Sequence, residues 1–197
     1  MIYRLVRDSF KYFLLLFYRF EVIGSEHVPT DKRAVVCCNH INNFDPPLVG
    51  GAIKREIYFM AKEELFRMPI IGKVMPHLCA FPVKRDGSDT QAIRRSIQIL
   101  KEEKLMGIFP EGTRSKTGEL GKFHTGFVLI ASKGKAPIIP TAIVGEYRLF
   151  RKMKVVFGEP LELDSYLNES GKMDSEGIRK VTDEVIKRIQ QLKDQHR

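Results

Sequence analysis

The stretch AVVCCNHINNFDPP, Ala34 to Pro47, decides how this chain folds and where its chemistry is to be sought. The first five residues are apolar without a break, as in a strand covered on both sides. Asn39 to Phe44 are mostly polar and leave that strand as a loop. Asp45 followed by Pro46 and Pro47 marks a helix start, with the aspartate as cap and Pro46 at the first helical position, where its missing N–H costs nothing. A helix running through the whole stretch would point His40 and Asp45 about 140° apart. The loop reading instead lets His40 fold back against Asp45.

Working outward, short runs rich in Val, Ile and Phe recur as strand candidates: Ile57 to Met60, Cys79 to Val83, Met106 to Phe109, Ile138 to Val144 and Lys154 to Phe157. Helical spacing fills several of the gaps. Ile93, Ile97 and Leu100 lie on one face of a helix with Asp89 as its cap, and Ile178, Val181, Val185, Ile189 and Leu192 form the apolar stripe of a longer one. Strands alternating with helices predict a layered α/β domain whose mixed, partly parallel sheet is flanked by helices. Sites in such domains gather where loops leave the carboxyl ends of the strands.

The chain has 197 residues, enough for one sizeable core, and a net charge of +9 that favours acidic partners: nucleic acid, an anionic membrane surface or a phosphorylated substrate. Nucleic acid is disfavoured, because aromatics do not interleave with a basic stripe in the globular part. Cys37, Cys38 and Cys79 all lie in apolar runs and read as core residues. Five scattered histidines offer no metal-ligand spacing, so no metal or other cofactor is expected. Residues 1–24 stand apart from the globular residues 25–197. Four basic residues (Arg4, Arg7, Lys11, Arg19) mix with aromatics, and the longest uncharged stretch, Tyr12 to Tyr18, is far short of the roughly 20 residues a membrane span needs. This composition predicts an N-terminal interfacial helix lying among lipid headgroups.

Three polar clusters follow strand candidates. In the first, a carboxylate at Asp45 accepting from one nitrogen of His40 would fix the tautomer and leave the other nitrogen free to take a proton from a substrate hydroxyl. No GxSxG elbow supplies an enzyme nucleophile, so the attacking hydroxyl is expected to belong to the substrate. The second cluster, CAFPVKRDG, ends a strand in Lys84 and Arg85, where a guanidinium can grip phosphate. In the third, FPEGTRS, Pro110 and Gly112 force a turn that presents Glu111, Thr113, Arg114 and Ser115, a geometry suited to anions.

These blocks resemble those of the glycerolipid acyltransferases. NHINNFD is similar to their NHxxxxD block, FPVKR to their second block and FPEGTRS to their third, and APIIP, Ala136 to Pro140, resembles their fourth. The short form with an aromatic and basic N-terminus is most similar to the bacterial members that acylate 1-acyl-sn-glycerol-3-phosphate to phosphatidic acid. The resemblance implies a glycerol-3-phosphate acyltransferase-like fold, with His40 as general base and Asp45 as its orienter. It implies that Lys62, Arg85, Glu111, Gly112, Thr113 and Arg114 hold the acceptor phosphate. It further implies a lysophosphatidate acceptor, an acyl carrier protein or coenzyme A thioester as donor, and a place on the cytoplasmic face of the cell membrane. Another lysolipid acceptor, such as lyso-ornithine lipid, or a non-catalytic lipid-binding module, are the alternatives. Two positions depart from the family pattern: Cys79 stands where glycine usually opens the second block, and His124 stands where a lysine is common after the third.

Overall fold

The computed structural model describes residues 2–84 and 89–197. Its elements run α1 (Ile2–Phe17), β1 (Phe20–Ile23), β2 (Ala34–Cys38), α2 (Asp45–Ala52), β3 (Ile57–Lys62), α3 (Glu63–Arg67), α4 (Ile71–Val74), β4 (Ala80–Val83), α5 (Thr90–Lys101), β5 (Leu105–Ile108), α6 (Gly126–Gly134), β6 (Ile138–Gly145), β7 (Met153–Phe157) and α7 (Ser175–Gln195). Each expected strand is present within a residue or two of its expected ends. β1 was not expected: four residues, FEVI, are too few to show a period, and the strand exists because it pairs with β7 far along the chain.

Among the described residues the seven strands form one sheet in the order β1, β7, β6, β2, β5, β3, β4. Neighbours are parallel throughout except β6 with β7. The expected mixed, partly parallel sheet is therefore observed, and β6, β2, β5, β3 and β4 all end at one edge. β2 runs between β5 and β6, which is why AVVCC is apolar at every position: Val35 and Cys37 enter the core under α5, α6 and α7, while Ala34, Val36 and Cys38 enter the core under α1 and α2. Full burial of a side chain of valine size contributes about 1.5–3 kcal/mol, so this central strand anchors both layers.

Asp89 caps α5 as expected and Asp174 caps α7, accepting from the N–H of Ala92 and Gly177 at 2.9 Å each. The stripe of α7 is buried through Val181, Val185 and Ile189. α5 is rotated from its expected face: Ala92, Ser96, Ile99 and Leu100 are the buried residues, and Ile93 and Ile97 only half so. The small Ala92 and Ser96 let the helix sit close on the sheet, with the Ser96 hydroxyl satisfied by donating to the Ala92 carbonyl at 2.8 Å.

Candidate active site

The chain leaves β2 under tight control. The side chain of Asn39, one residue beyond the strand, binds the backbone of Ile143 in β6 twice, accepting from its N–H at 2.7 Å and donating to its carbonyl at 3.1 Å. His40 follows at a fixed point. Its own N–H donates to Glu111 Oε1 at 2.8 Å, and its carbonyl accepts from the Ser115 N–H at 2.7 Å. The imidazole stacks on Phe109 with centroids 4.4 Å apart, and Phe109 in turn lies 5.7 Å from the ring of Phe59. Gly107 makes that stack possible: a Cβ there would stand 2.1 Å from the Phe59 ring.

His40 Nδ1 and Asp45 Oδ2 are 2.7 Å apart. The N–H groups of Ile41 and Asn42 donate to the same oxygen at 2.6 and 2.7 Å, and the hydroxyl of Tyr147 donates to Asp45 Oδ1 at 2.7 Å. With Nδ1–H donating to the carboxylate, the lone pair of the ring is carried by Nε2. Asp45 is wholly buried. It is not the cap expected of it: Phe44 occupies that position, Asp45 is the first residue of α2 and Pro46 the second. Its carboxylate faces back over the loop instead of forward along the helix, and two backbone donors hold it there.

The third cluster leaves the neighbouring strand β5. Gly112 takes the left-handed conformation, φ 65°, and a Cβ there would press to 3.2 Å from the His124 ring. Thr113 and Arg114 are exposed beyond it, and Arg114 has no ion-pair partner among the described residues. Glu111 behaves differently from its neighbours. It is buried, and its second oxygen accepts from the Gly121 N–H at 2.8 Å, so both oxygens are spent on backbone donors. That geometry makes it a brace between loops. Lys193 of α7, itself buried, reaches the far side of the same loop and donates to the Gly118 carbonyl at 2.7 Å.

Lys62 ends β3 at the same edge of the sheet and is exposed. Lys84 follows β4, whereas Arg85 lies outside the described residues. Cys79, the departure from glycine, adopts a left-handed conformation with φ 59°. Glycine takes that conformation without strain, which explains the usual residue; a cysteine there costs about 1 kcal/mol. Burial pushes the thiols of Cys37, Cys38 and Cys79 up from their ordinary value, so none is poised as a thiolate. Asn39, Phe109, Tyr147 and Lys193 were missed as site residues. Asn39 and Phe109 open the motifs NHINNFD and FPEGTRS and were within reach, but nothing local marks Tyr147 or Lys193, which come from 102 and 75 residues away from their partners.

The fold and this edge of loops define an acyltransferase: residues 19–144 match the Acyltransferase family, and the chain belongs to it. The resemblance carried by the four blocks is thereby confirmed. The 1-acyl-sn-glycerol-3-phosphate acyltransferase of Bacillus subtilis is 35% identical over 96% of this chain and 96% of its own length. The enzyme of the same name from Borreliella burgdorferi is 25% identical over 87% of this chain and 72% of its own. Among solved structures, the 1-acyl-sn-glycerophosphate acyltransferase of Thermotoga maritima superposes with a TM-score of 0.75 at 29% identity, covering all of this chain and 80% of that one.

Proposed function

We propose that this enzyme transfers an acyl group from a thioester, on acyl carrier protein or coenzyme A, to the sn-2 hydroxyl of 1-acyl-sn-glycerol-3-phosphate. The observation that carries the reading is the contact of 2.7 Å between His40 Nδ1 and a buried Asp45, which leaves Nε2 to act as base. Nε2 takes the hydroxyl proton as the oxygen attacks the thioester carbonyl. The C–S bond then breaks, the leaving sulfur recovers the proton from the imidazolium, and the products are phosphatidic acid and a free thiol. Asp45 keeps its negative charge beside the imidazolium while it exists. The buried cysteines, their thiols held protonated, offer no competing nucleophile, which supports direct transfer without an acyl-enzyme.

The acceptor phosphate is assigned to the open turn after β5, with the backbone of Gly112, the hydroxyl of Thr113 and the fork of Arg114, joined by Lys62 from the end of β3 and, on its place in the sequence alone, by Arg85. Glu111 is assigned to holding that turn against His40.

Such an acceptor sits in a bilayer with its phosphate at the surface. α1 turns Tyr3 and Leu14 inward and leaves Leu5, Tyr12 and Leu16 outward at 69%, 71% and 70% exposure. Leu149 and Phe150 extend this apolar face, since the Phe150 N–H donates to the Phe17 carbonyl at the end of the helix. Among the described residues no helix is long and apolar enough to cross a membrane. Residues 1–24 are therefore assigned to the membrane interface on its cytoplasmic face, with Arg4, Lys11 and Arg19 exposed toward anionic lipid.

The test is purified protein with lysophosphatidate and each donor in turn, wild type beside His40→Ala. Acyl incorporation by the wild type is expected to fall by about 10²–10⁴-fold in the variant with folding kept. An equally active His40→Ala protein overturns the mechanism.

A further inference from the structure

We infer that Tyr147 is a positioning residue of the reaction, its hydroxyl fixing the plane of the Asp45 carboxylate so that the carboxylate meets His40 in line. The inference rests on the dyad mechanism proposed above and adds a member to it.

Three donors, His40 Nδ1 and the N–H groups of Ile41 and Asn42, converge on a single oxygen, Oδ2. They act on one oxygen only, and small play in the χ1 and χ2 torsions still lets the carboxylate tilt the lone pair offered to His40. A donor on the other oxygen narrows that play, and Tyr147 Oη supplies it at 2.7 Å. The contact spans 102 residues, joining the turn beyond β6 to the first turn of α2. Burial, and then the Asp45 charge beside it, holds the phenol far above its ordinary range, so the hydroxyl remains a donor at any working pH.

The ring is seated from two sides. Tyr18 meets it edge-on with centroids 6.2 Å apart, and Phe44 lies 6.3 Å away. Phe44 itself stacks on Phe10 of α1 at 6.2 Å. The second oxygen of the catalytic carboxylate thus leans, through two aromatic contacts, on the helix assigned to the membrane interface.

The groups facing this contact are few. His40 and Asp45 stand on one side, Cys38 lies beneath Asp45 at the end of β2, and Glu111 reaches the backbone of His40 from β5. Tyr18 lies beyond the ring, while the flanking Glu146 and Arg148 are exposed and pair with each other at 3.8 Å. Removing the hydroxyl strips Asp45 of its one donor on Oδ1 and concentrates its charge on His40. The pH below which activity is lost should then rise.

The experiment compares wild type, Tyr147→Phe and His40→Ala in the lysophosphatidate assay, measuring kcat, KM for the acceptor and the acidic limb of the rate profile. Tyr147→Phe keeps the ring and its packing, so folding is retained. Its kcat should fall about tenfold, the worth of one hydrogen bond to a charged group, with KM within about twofold and the acidic limb moved to higher pH. A kcat within about twofold of wild type overturns the inference, as does a loss shared equally by kcat and KM with the limb unmoved, which is the pattern of general loosening. An inactive wild type overturns the acceptor assignment itself, and Tyr147→Phe has no part in that result.

Discussion

In the loop from Asn39 to Asp45 the polar side chains that surround the reacting imidazole are already paired: the Asn39 amide binds Ile143 at both ends, and the Asp45 carboxylate accepts four hydrogen bonds. In the loop from Gly112 to Gly121 the opposite holds, with Thr113 and Arg114 exposed and the guanidinium without an ion-pair partner among the described residues. The roles proposed for the two loops give the difference a reason. A base has to stand within a few tenths of an ångström of a hydroxyl proton, and that precision is obtained by ordering its surroundings during folding. A phosphate brings its own acceptors, so donors left unsatisfied in the free protein gain partners on binding. An internal ion pair at Arg114 would have to be broken first.

Glu111 joins the two loops, and removing it should erase the difference between them. Glu111→Ala leaves the N–H of His40 and of Gly121 without acceptors, one on each side. His40 is half-buried and Gly121 exposed, so water takes up part of the loss, and the two together cost about 1–3 kcal/mol. Chemical denaturation should show the protein destabilised by an amount of that order. The assay should show kcat falling and KM for lysophosphatidate rising together, because one substitution loosens both the base and the phosphate turn. A change in KM alone would mean that Glu111 serves the ligand directly and not the scaffold.

The strands and their exit loops were legible because the central sheet is covered on both faces and its apolar runs stand out from the polar turns that follow. The meeting of His40 with Asp45 was legible for the same reason, since an apolar strand that ends in a polar loop before a helix start lets the chain fold back. That Asp45 would face His40 without also capping α2 was not. An aspartate before two prolines has the composition of a cap, and only the backbone donors of Ile41 and Asn42, fixed by the fold of the loop, turn it back toward His40. The bracing contacts of Glu111 were not legible, because its burial depends on the approach of Gly121 ten residues on. β1, Tyr147 and Lys193 depend on contacts with remote segments, which no local pattern records.

Arg114→Ala sharpens the comparison from the open side. Among the described residues nothing pairs with its guanidinium, so denaturation should place the variant within about 0.5 kcal/mol of wild type. The acceptor KM should rise about tenfold to a hundredfold, in keeping with loss of charge-assisted bonds to phosphate, while kcat at saturation is kept. A fall in kcat without a rise in KM would place Arg114 on the reacting carbonyl and away from the phosphate.

The smallest effect is expected where the open loop is tied down at its far end. Lys193 spends its ammonium on the carbonyl of Gly118, in a setting where burial, and then the charge of Arg197, depress its pKa from the ordinary lysine value. Lys193→Met keeps the length of the stem and removes the charge. The desolvation cost of the ammonium disappears, and Gly118, being exposed, can turn its carbonyl to water. Stability should therefore hold or rise slightly, while the turn carrying Thr113 and Arg114 loses its outer tether and KM rises a few-fold, about 0.5–1 kcal/mol of binding. Stability and affinity would then move in opposite directions, which separates a residue kept for positioning a binding loop from one kept for packing. If Lys193→Met lowers stability and leaves KM untouched, the ammonium belongs to the core of α7 and the phosphate turn is held by Glu111 alone.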